Sequence, residues 1–213
     1  MKHNSFAIAA VRRAGGPSKA RERLISAVRR LLQSHDPSGI TTSMVLREAG
    51  VARNTLYLHF ENHAQLLETA LLSIFSAAVQ ENIDSVEQAL RKSRTRSEFF
   101  RKVAVVIRDS NSRNRRKFRI ERCRLIVHAE NNDGFAAVMA AEQSRINAQF
   151  TELLEQCRQR GWIRGSVKSS VAAVLVQALT LGKVIDDISG KKLSEDDWFD
   201  MYLEVVNKVI MGS

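Results

Sequence analysis

Proline is almost absent from this 213-residue chain, with only Pro17 and Pro37, and aromatic residues make up 6%. Together with many Ala, Leu, Arg and Glu, this scarcity favours an all-α protein. No stretch shows sustained period-two alternation between hairpin turns, and there is no internal repeat or low-complexity tract. Two cysteines, Cys123 and Cys157, cannot build a disulfide framework, which fits a reducing interior and excludes the small secreted scaffolds. The longest N-terminal apolar run, Phe6 to Val11, meets Arg12 and Arg13. It is too short for a signal core or a bilayer span. Missing too are a Gly-rich phosphate loop, a nucleophile elbow and paired carboxylates, so no catalytic residue and no cofactor is expected. His59 and His63 stand four apart, but Glu61 is misplaced for a zinc-protease motif, and no metal site is expected.

Positive charge is abundant. The net charge is +10, apolar residues reach 44% and charged residues 26%, values of a folded chain with a polyanionic partner. The charge is blocked: residues 1–60 carry ten Lys/Arg against three Asp/Glu, and residues 61–90 carry none against five. Residues 91–128 then carry fourteen against three, and residues 129–213 nine against twelve. Residues 1–18 read as a basic arm ended by Gly15-Gly16-Pro17-Ser18. From Lys19, Leu24, Ile25, Val28, Leu31 and Leu32 share one helical face, and Pro37-Ser38-Gly39 stops that helix. The spacing predicts further helices over 42–49 and 53–59, a longer one from His63, then 98–108, 119–129, 141–160, 171–188 and 194–211.

The informative segment is Thr41 to Leu67, TTSMVLREAGVARNTLYLHFENHAQLL. Two short helices flank Ala49-Gly50-Val51, where Gly50 supplies the positive φ of a tight helix-to-helix turn. Thr41 or Thr42 is placed to cap the first. Val45, Leu46, Ala49, Val51, Leu56 and Phe60 can form a small core with the Leu24–Leu32 stripe. Arg53, Asn54, Thr55, Tyr57 and His59 are then left to project outward. Arg and Asn can bond base edges bidentately, while Thr, Tyr and His offer directional donors to phosphate.

Thr41-Thr42, Ala49-Gly50-Val51, Thr55-Leu56-Tyr57-Leu58-His59-Phe60 and Glu61-Asn62-His63 before Leu66-Leu67 make this segment resemble the TetR/AcrR family of bacterial one-component regulators. The resemblance is close over residues 19–75. It implies an all-α fold with an N-terminal three-helix helix-turn-helix domain over 19–65 and a C-terminal bundle over 66–213 for effector binding and dimerisation. It also implies a cytoplasmic homodimer, nucleoid-associated when bound to a palindromic operator, acting as a repressor released by a small-molecule effector. Thr41, Thr42, Arg53, Asn54, Thr55, Tyr57, His59 and His63 would then contact double-stranded DNA. Two departures stand out: Ala52 replaces the usual capping Ser, and His63 the usual Lys.

Beyond that segment the apolar positions Phe75, Phe99, Phe100, Val103, Ile107, Phe118, Ile126, Phe135, Met139 and Phe150 could enclose an effector pocket or form a filled core. The basic run Arg113, Arg115, Arg116, Lys117, Arg119, Arg122 and Arg124 reads as a solvated face or as the partner of the acidic 61–90 block. It could also receive an anionic effector, such as a coenzyme A thioester, through Arg115, Arg116, Arg119 and Arg122, or touch DNA phosphate. The helix over 171–188 is apolar nearly all round. Such a helix is either central to the core or shared with a partner chain; the resemblance implies the latter, with Val171, Val174, Leu175, Ala178, Leu181, Gly182 and Ile185, together with Trp198 and Val205, as the dimer interface. A non-specific nucleic-acid-binding protein and a helical ligand binder without DNA activity are the rival classes.

Overall fold

The computed structural model describes residues 19–211, so the basic arm of 1–18 lies outside the described residues. Every regular element among the described residues is helical. The chain divides into two compact units, one ending at Ile74 and one beginning at Phe75.

The first unit holds α1 (Lys19–Leu31), α2 (Thr42–Ala49), α3 (Arg53–His59) and the start of α4 (His63–Arg91). Leu24, Ala27 and Val28 of α1 meet Val45 and Ala49 of α2, Leu56 of α3 and Leu66 and Ala70 of α4 in one buried cluster. Because Leu66 and Ala70 belong to this core, the unit runs on to Ile74. Pro37–Gly39 forms a short 3₁₀ turn that ends the first helix run. Thr41 caps α2 by accepting a hydrogen bond from Met44 N at 3.3 Å. Gly50 closes α2 at φ 59°, in the left-handed region, where a side chain is strained. A Cβ there would also lie 2.9 Å from Arg23 Nη2, which donates to Gly50 O at 2.9 Å.

The second unit contains the rest of α4, then α5 (Arg96–Asn111), α6 (Arg116–Glu130), α7 (Asp133–Gln159), α8 (Ser169–Gly182), the short α9 (Val184–Asp187) and α10 (Glu195–Val205), which ends in a π turn, Val206–Met211. Thr95 caps α5 by accepting from Glu98 N (3.2 Å), and Glu98 Oε2 reaches back one residue beyond the cap to accept from Arg94 N (3.1 Å). Arg160 donates to the carbonyls of Leu90 and Ser93 at 2.8 and 3.1 Å, closing the end of α4.

Three departures from the expected helices stand out. The helix predicted from Ala141 starts at Asp133, because Asn132 accepts from Phe135 N at 3.0 Å and acts as a cap, so Gly134 lies inside the first turn. The helix predicted over 171–188 breaks at Lys183, whose side chain turns into the interior. Its Nζ meets Asp186 at 2.6 Å and lies 5.1 Å from the Trp198 ring centroid. The last helix leaves α geometry at Val206. The stretch Ser169–Asp187 is nonetheless long and apolar enough to cross a membrane by length and composition. Its inner face is polar as well as apolar: buried Gln177 donates to Asn147 Oδ1 at 2.9 Å and to Ala173 O at 2.9 Å.

Candidate functional site

In the first unit the site is the outer surface of α3. The helix has only seven residues, and Ala52 before it makes no side-chain cap bond, so its position depends on the burial of Leu56 and Phe60. With those two inside, Arg53, Asn54 and Tyr57 stand exposed, and Thr55 and His59 are half-buried. The Arg53 guanidinium lies 6.0 Å from the Tyr57 ring centroid. Leu58 is 79% exposed, one turn beyond Asn54. The sequence reading did not single it out. An apolar side chain left outside a helix whose core residue is Leu56 is the signal that marks it, and an apolar group beside Asn suits a thymine methyl.

Thr41 is exposed and its hydroxyl is engaged as the cap of α2; Thr42 is half-buried in the first turn. At the start of α4, Asn62 Oδ1 accepts from Gln65 N (2.9 Å) and Gln65 Oε1 accepts from Glu61 N (2.8 Å). His63 is half-buried there, with Nε2 enclosed and unbonded. Burial lowers its pKa below the usual imidazole value. The expected cationic phosphate contact therefore changes character: the ring is neutral at pH 7, and Nε2 points away from solvent.

In the second unit α4, α5, α6, α7, α8 and α10 enclose a cavity of about 150 Å³. Of the residues expected around it, Phe99, Phe100, Val103, Ile107, Phe118 and Phe150 line it. Four do not. Phe75 is buried and stacks on Phe118 with centroids 5.7 Å apart. Phe135 is buried against His128 at 5.1 Å, Met139 is buried elsewhere, and Ile126 is exposed. Helical spacing identified inward faces but not which inward residues border empty space. The lining that the sequence reading missed includes Val79, Asn82 and Val86 of α4, Leu153 and Cys157 of α7, Gln177 and Thr180 of α8, and Tyr202 of α10. Burial pushes the Cys157 thiol and the Tyr202 phenol up to about 12, so both are neutral at pH 7.

The basic run separates by environment. Arg119 is buried and donates from Nε and Nη2 to the Asp187 carboxylate at 2.6 and 2.9 Å, and to the carbonyls of Ser110 and Ser112. Arg115 holds Asp109 at 2.7 Å, Arg124 holds Glu121 at 2.5 Å, and Arg116 donates to Asp187 O at 3.1 Å. The pairs thus run to near neighbours and to α9. Of the four arginines expected to receive an anionic effector, only Arg122 lines the cavity.

The α8–α10 region exposes a band of apolar side chains. Val171, Val174, Ala178 and Ile185 are exposed, and Leu175, Leu181, Gly182, Trp198 and Val205 are half-buried. Ile188, Leu193, Met201 and Val209 extend the exposed set. Trp198 differs from expectation in that its Nε1 turns inward and donates to Asn111 Oδ1 at 3.0 Å. A surface groove runs beside it, bordered by Leu175, Ala178, Gly182, Ile185 and Leu193. Among the described residues no cluster of His, Cys, Asp and Glu could hold a metal ion.

Residues 24–70 match the family model of bacterial regulatory proteins, tetR family. No curated protein sequence matches the chain significantly. Among solved structures, one assigned to the TetR family of transcriptional regulators from Rhodococcus sp. is 18% identical with a TM-score of 0.66, covering 91% of this chain and 99% of its own. The reduced form of Escherichia coli NemR is 16% identical (TM-score 0.62; 90% and 97% covered). The SmeT–triclosan complex is 16% identical (TM-score 0.59; 90% and 91% covered).

Proposed function

We propose that this chain, whose residues 24–70 match the family model of bacterial regulatory proteins, tetR family, and whose fold is that of solved TetR-family regulators, is a homodimeric repressor. It holds a palindromic operator and lets go when a small molecule occupies the cavity of the second unit. The observation that carries the reading is the outer face of α3. Arg53 and Asn54, with Tyr57 and Leu58 a turn later, stand exposed on a helix anchored only by Leu56 and Phe60. A helix so short, with its base-reading types on one side, suits the major groove.

Dimerisation is supported by the apolar band of α8, α9 and α10, because a band this apolar is expected to be covered. A second copy would cover it, and for both half-sites to engage successive major grooves the two α3 helices must then stand about 34 Å apart, one duplex turn. The same covering accounts for the apolar outer face of Ser169–Asp187 in a protein of the bacterial cytoplasm. Effector release is supported by the apolar cavity and by the triclosan bound in the SmeT structure. One helix joins the two activities: α4 supplies Leu66 and Ala70 to the DNA-binding core and Val79, Asn82 and Val86 to the cavity wall. A ligand that prefers one packing of α4 shifts the population of DNA-binding states by its differential affinity.

The test is selection of bound duplex from a random pool with purified protein at a stated salt concentration. A two-fold-symmetric consensus is expected. Equal affinity for selected and random duplex would identify a non-specific nucleic-acid-binding protein instead.

A further inference from the structure

We propose that the cavity takes a small apolar monoanion, a single carboxylate on an aliphatic or aromatic body, with Arg122 as its counter-charge. The inference rests on the reading of this cavity as the effector site and adds the ligand's chemical class.

The wall is largely hydrocarbon, with Phe99, Phe100, Phe118 and Phe150 among its residues. Its ionisable members are Arg122, Cys157 and Tyr202, and the last two are neutral, so the wall carries one positive charge. Among the described residues no carboxylate pairs with that charge. Glu121, its neighbour in sequence, is bound to Arg124 at 2.5 Å, and Glu142, beside Gln143, is bound to Arg145 at 2.7 Å. Arg122 Nη2 donates to Gln143 Oε1 at 3.2 Å, and the guanidinium lies 5.1 Å from the Phe75 ring centroid. Its Nε is buried and has no hydrogen-bond partner.

Arg119, one turn earlier on α6, is held quite differently. Arg119 is buried with a bidentate carboxylate and two carbonyls. Arg122 is half-buried and burial lowers its pKa, yet its partners are a neutral amide and the face of Phe75. That amide is itself fixed: Gln143 Nε2 donates to Asn147 Oδ1 and Gln177 Oε1 at 2.8 and 2.9 Å. The network positions the cation without neutralising it. A half-buried cation with no carboxylate beside it is costly, and such uncompensated groups concentrate at functional sites. The hydroxyl groups of the wall are already used. Tyr202 OH donates to Val176 O at 2.8 Å, Thr180 Oγ1 meets Tyr202 OH at 3.2 Å, and Ser110 Oγ donates to Val106 O at 2.8 Å.

One uncompensated charge matches a monoanion and not a polyphosphate, because Arg115, Arg116 and Arg119 are committed elsewhere. A cavity of about 150 Å³ is the size that admits a benzene ring. The assignment thus replaces the coenzyme A thioester with a small organic acid.

The experiment is calorimetric titration of the full chain with 3-phenylpropionate and octanoate, each against its neutral amide of the same shape. The wild-type protein should bind each acid about 10- to 100-fold more tightly than its amide, the range of a charge-assisted hydrogen bond. Arg122→Gln should bring that ratio close to one, and Arg122→Lys should leave an intermediate ratio. A measurement on the wild type alone guards against variants that do not fold. Carbon-13 resonance of the labelled carboxyl should titrate at lower pH when bound than when free. A bound carboxyl that titrates higher, amides that bind as well as acids, no binding of either acid, or tighter binding of a coenzyme A thioester would each overturn the proposal. A protein that selects a palindrome but binds neither acid leaves the regulator standing and removes only this assignment. Acid binding without sequence-selective DNA binding does the reverse.

Discussion

Replacing Asp187 by Ala should be among the most damaging single changes in the second unit. Its carboxylate takes two hydrogen bonds from Arg119, at 2.6 and 2.9 Å, with the two side chains 6% and 2% exposed. Truncation leaves the guanidinium buried with only the carbonyls of Ser110 and Ser112, at 3.0 and 3.1 Å. Removing one side of a buried ion pair costs about 3–5 kcal/mol, or a fall in melting temperature of roughly 10 °C for a unit of this size. The control is Asp196→Ala. That residue pairs with Arg108 at the same 2.6 Å, but with side chains 74% and 53% exposed, where about 0–1 kcal/mol is expected. Guanidinium unfolding followed by tryptophan fluorescence reads both, since Trp198 bonds Asn111 in this region. The double variant Arg119→Met, Asp187→Leu should lose about 2–3 kcal/mol less than the sum of the single variants. A loss below about 1 kcal/mol for Asp187→Ala, equal to the surface control, would refute the reasoning.

The other expectations are more direct. Arg53→Ala and Asn54→Ala should each relax preference at particular base pairs by about 1–3 kcal/mol, while Tyr57→Phe weakens operator and random duplex alike; equal losses for all three would remove the base-reading role. Val174→Asp and Gly182→Leu should both yield monomers in sedimentation and poor operator binding, and an intact dimer in both would move the interface away from α8. Cys157, its thiol pushed up to about 12, should resist iodoacetamide near pH 8 in the folded protein and react once unfolded; native-state alkylation at the rate of a free thiol counts against the burial. His63 is neutral in the fold, with a pKa below 6.5, so the unfolded chain gains the proton first as pH drops. Stability is complete above that value and is lost as pH falls through it. Denaturation midpoints at about pH 7.5 and 5.5 should therefore separate more for the wild type than for His63→Gln; equal separations would overturn the assignment.

The first unit was legible because its punctuation is local. Thr41 caps and Gly50 closes α2 within four residues of where they stand, and α2 and α3 fall on the predicted bounds. The second unit was legible only in outline. Asn132 caps a helix that begins inside an apparent Asn/Gly break, and Lys183 interrupts an apolar run by turning inward to Asp186. Neither event shows in a 3.6-residue period. Arg119 finds its carboxylate 68 residues away, so nothing in the spacing of the basic run distinguishes it from Arg122. Emptiness is likewise non-local: Phe75 and Phe118 both face inward, but only Phe118 borders the cavity. Leu58 was passed over because apolar residues are read first as core.

The apolar band of α8 to α10 also bears on gene dosage. With the proposed dimer weakly associated at cellular concentrations, operator occupancy at low protein follows the square of the monomer concentration, so doubling expression raises it about fourfold. Halving expression lowers it to about a quarter, which lets a modest drop in synthesis open the promoter without any effector. Substitutions at Val174 or Ile185, which stand exposed on that band, would then tune the steepness of the genetic response without touching α3.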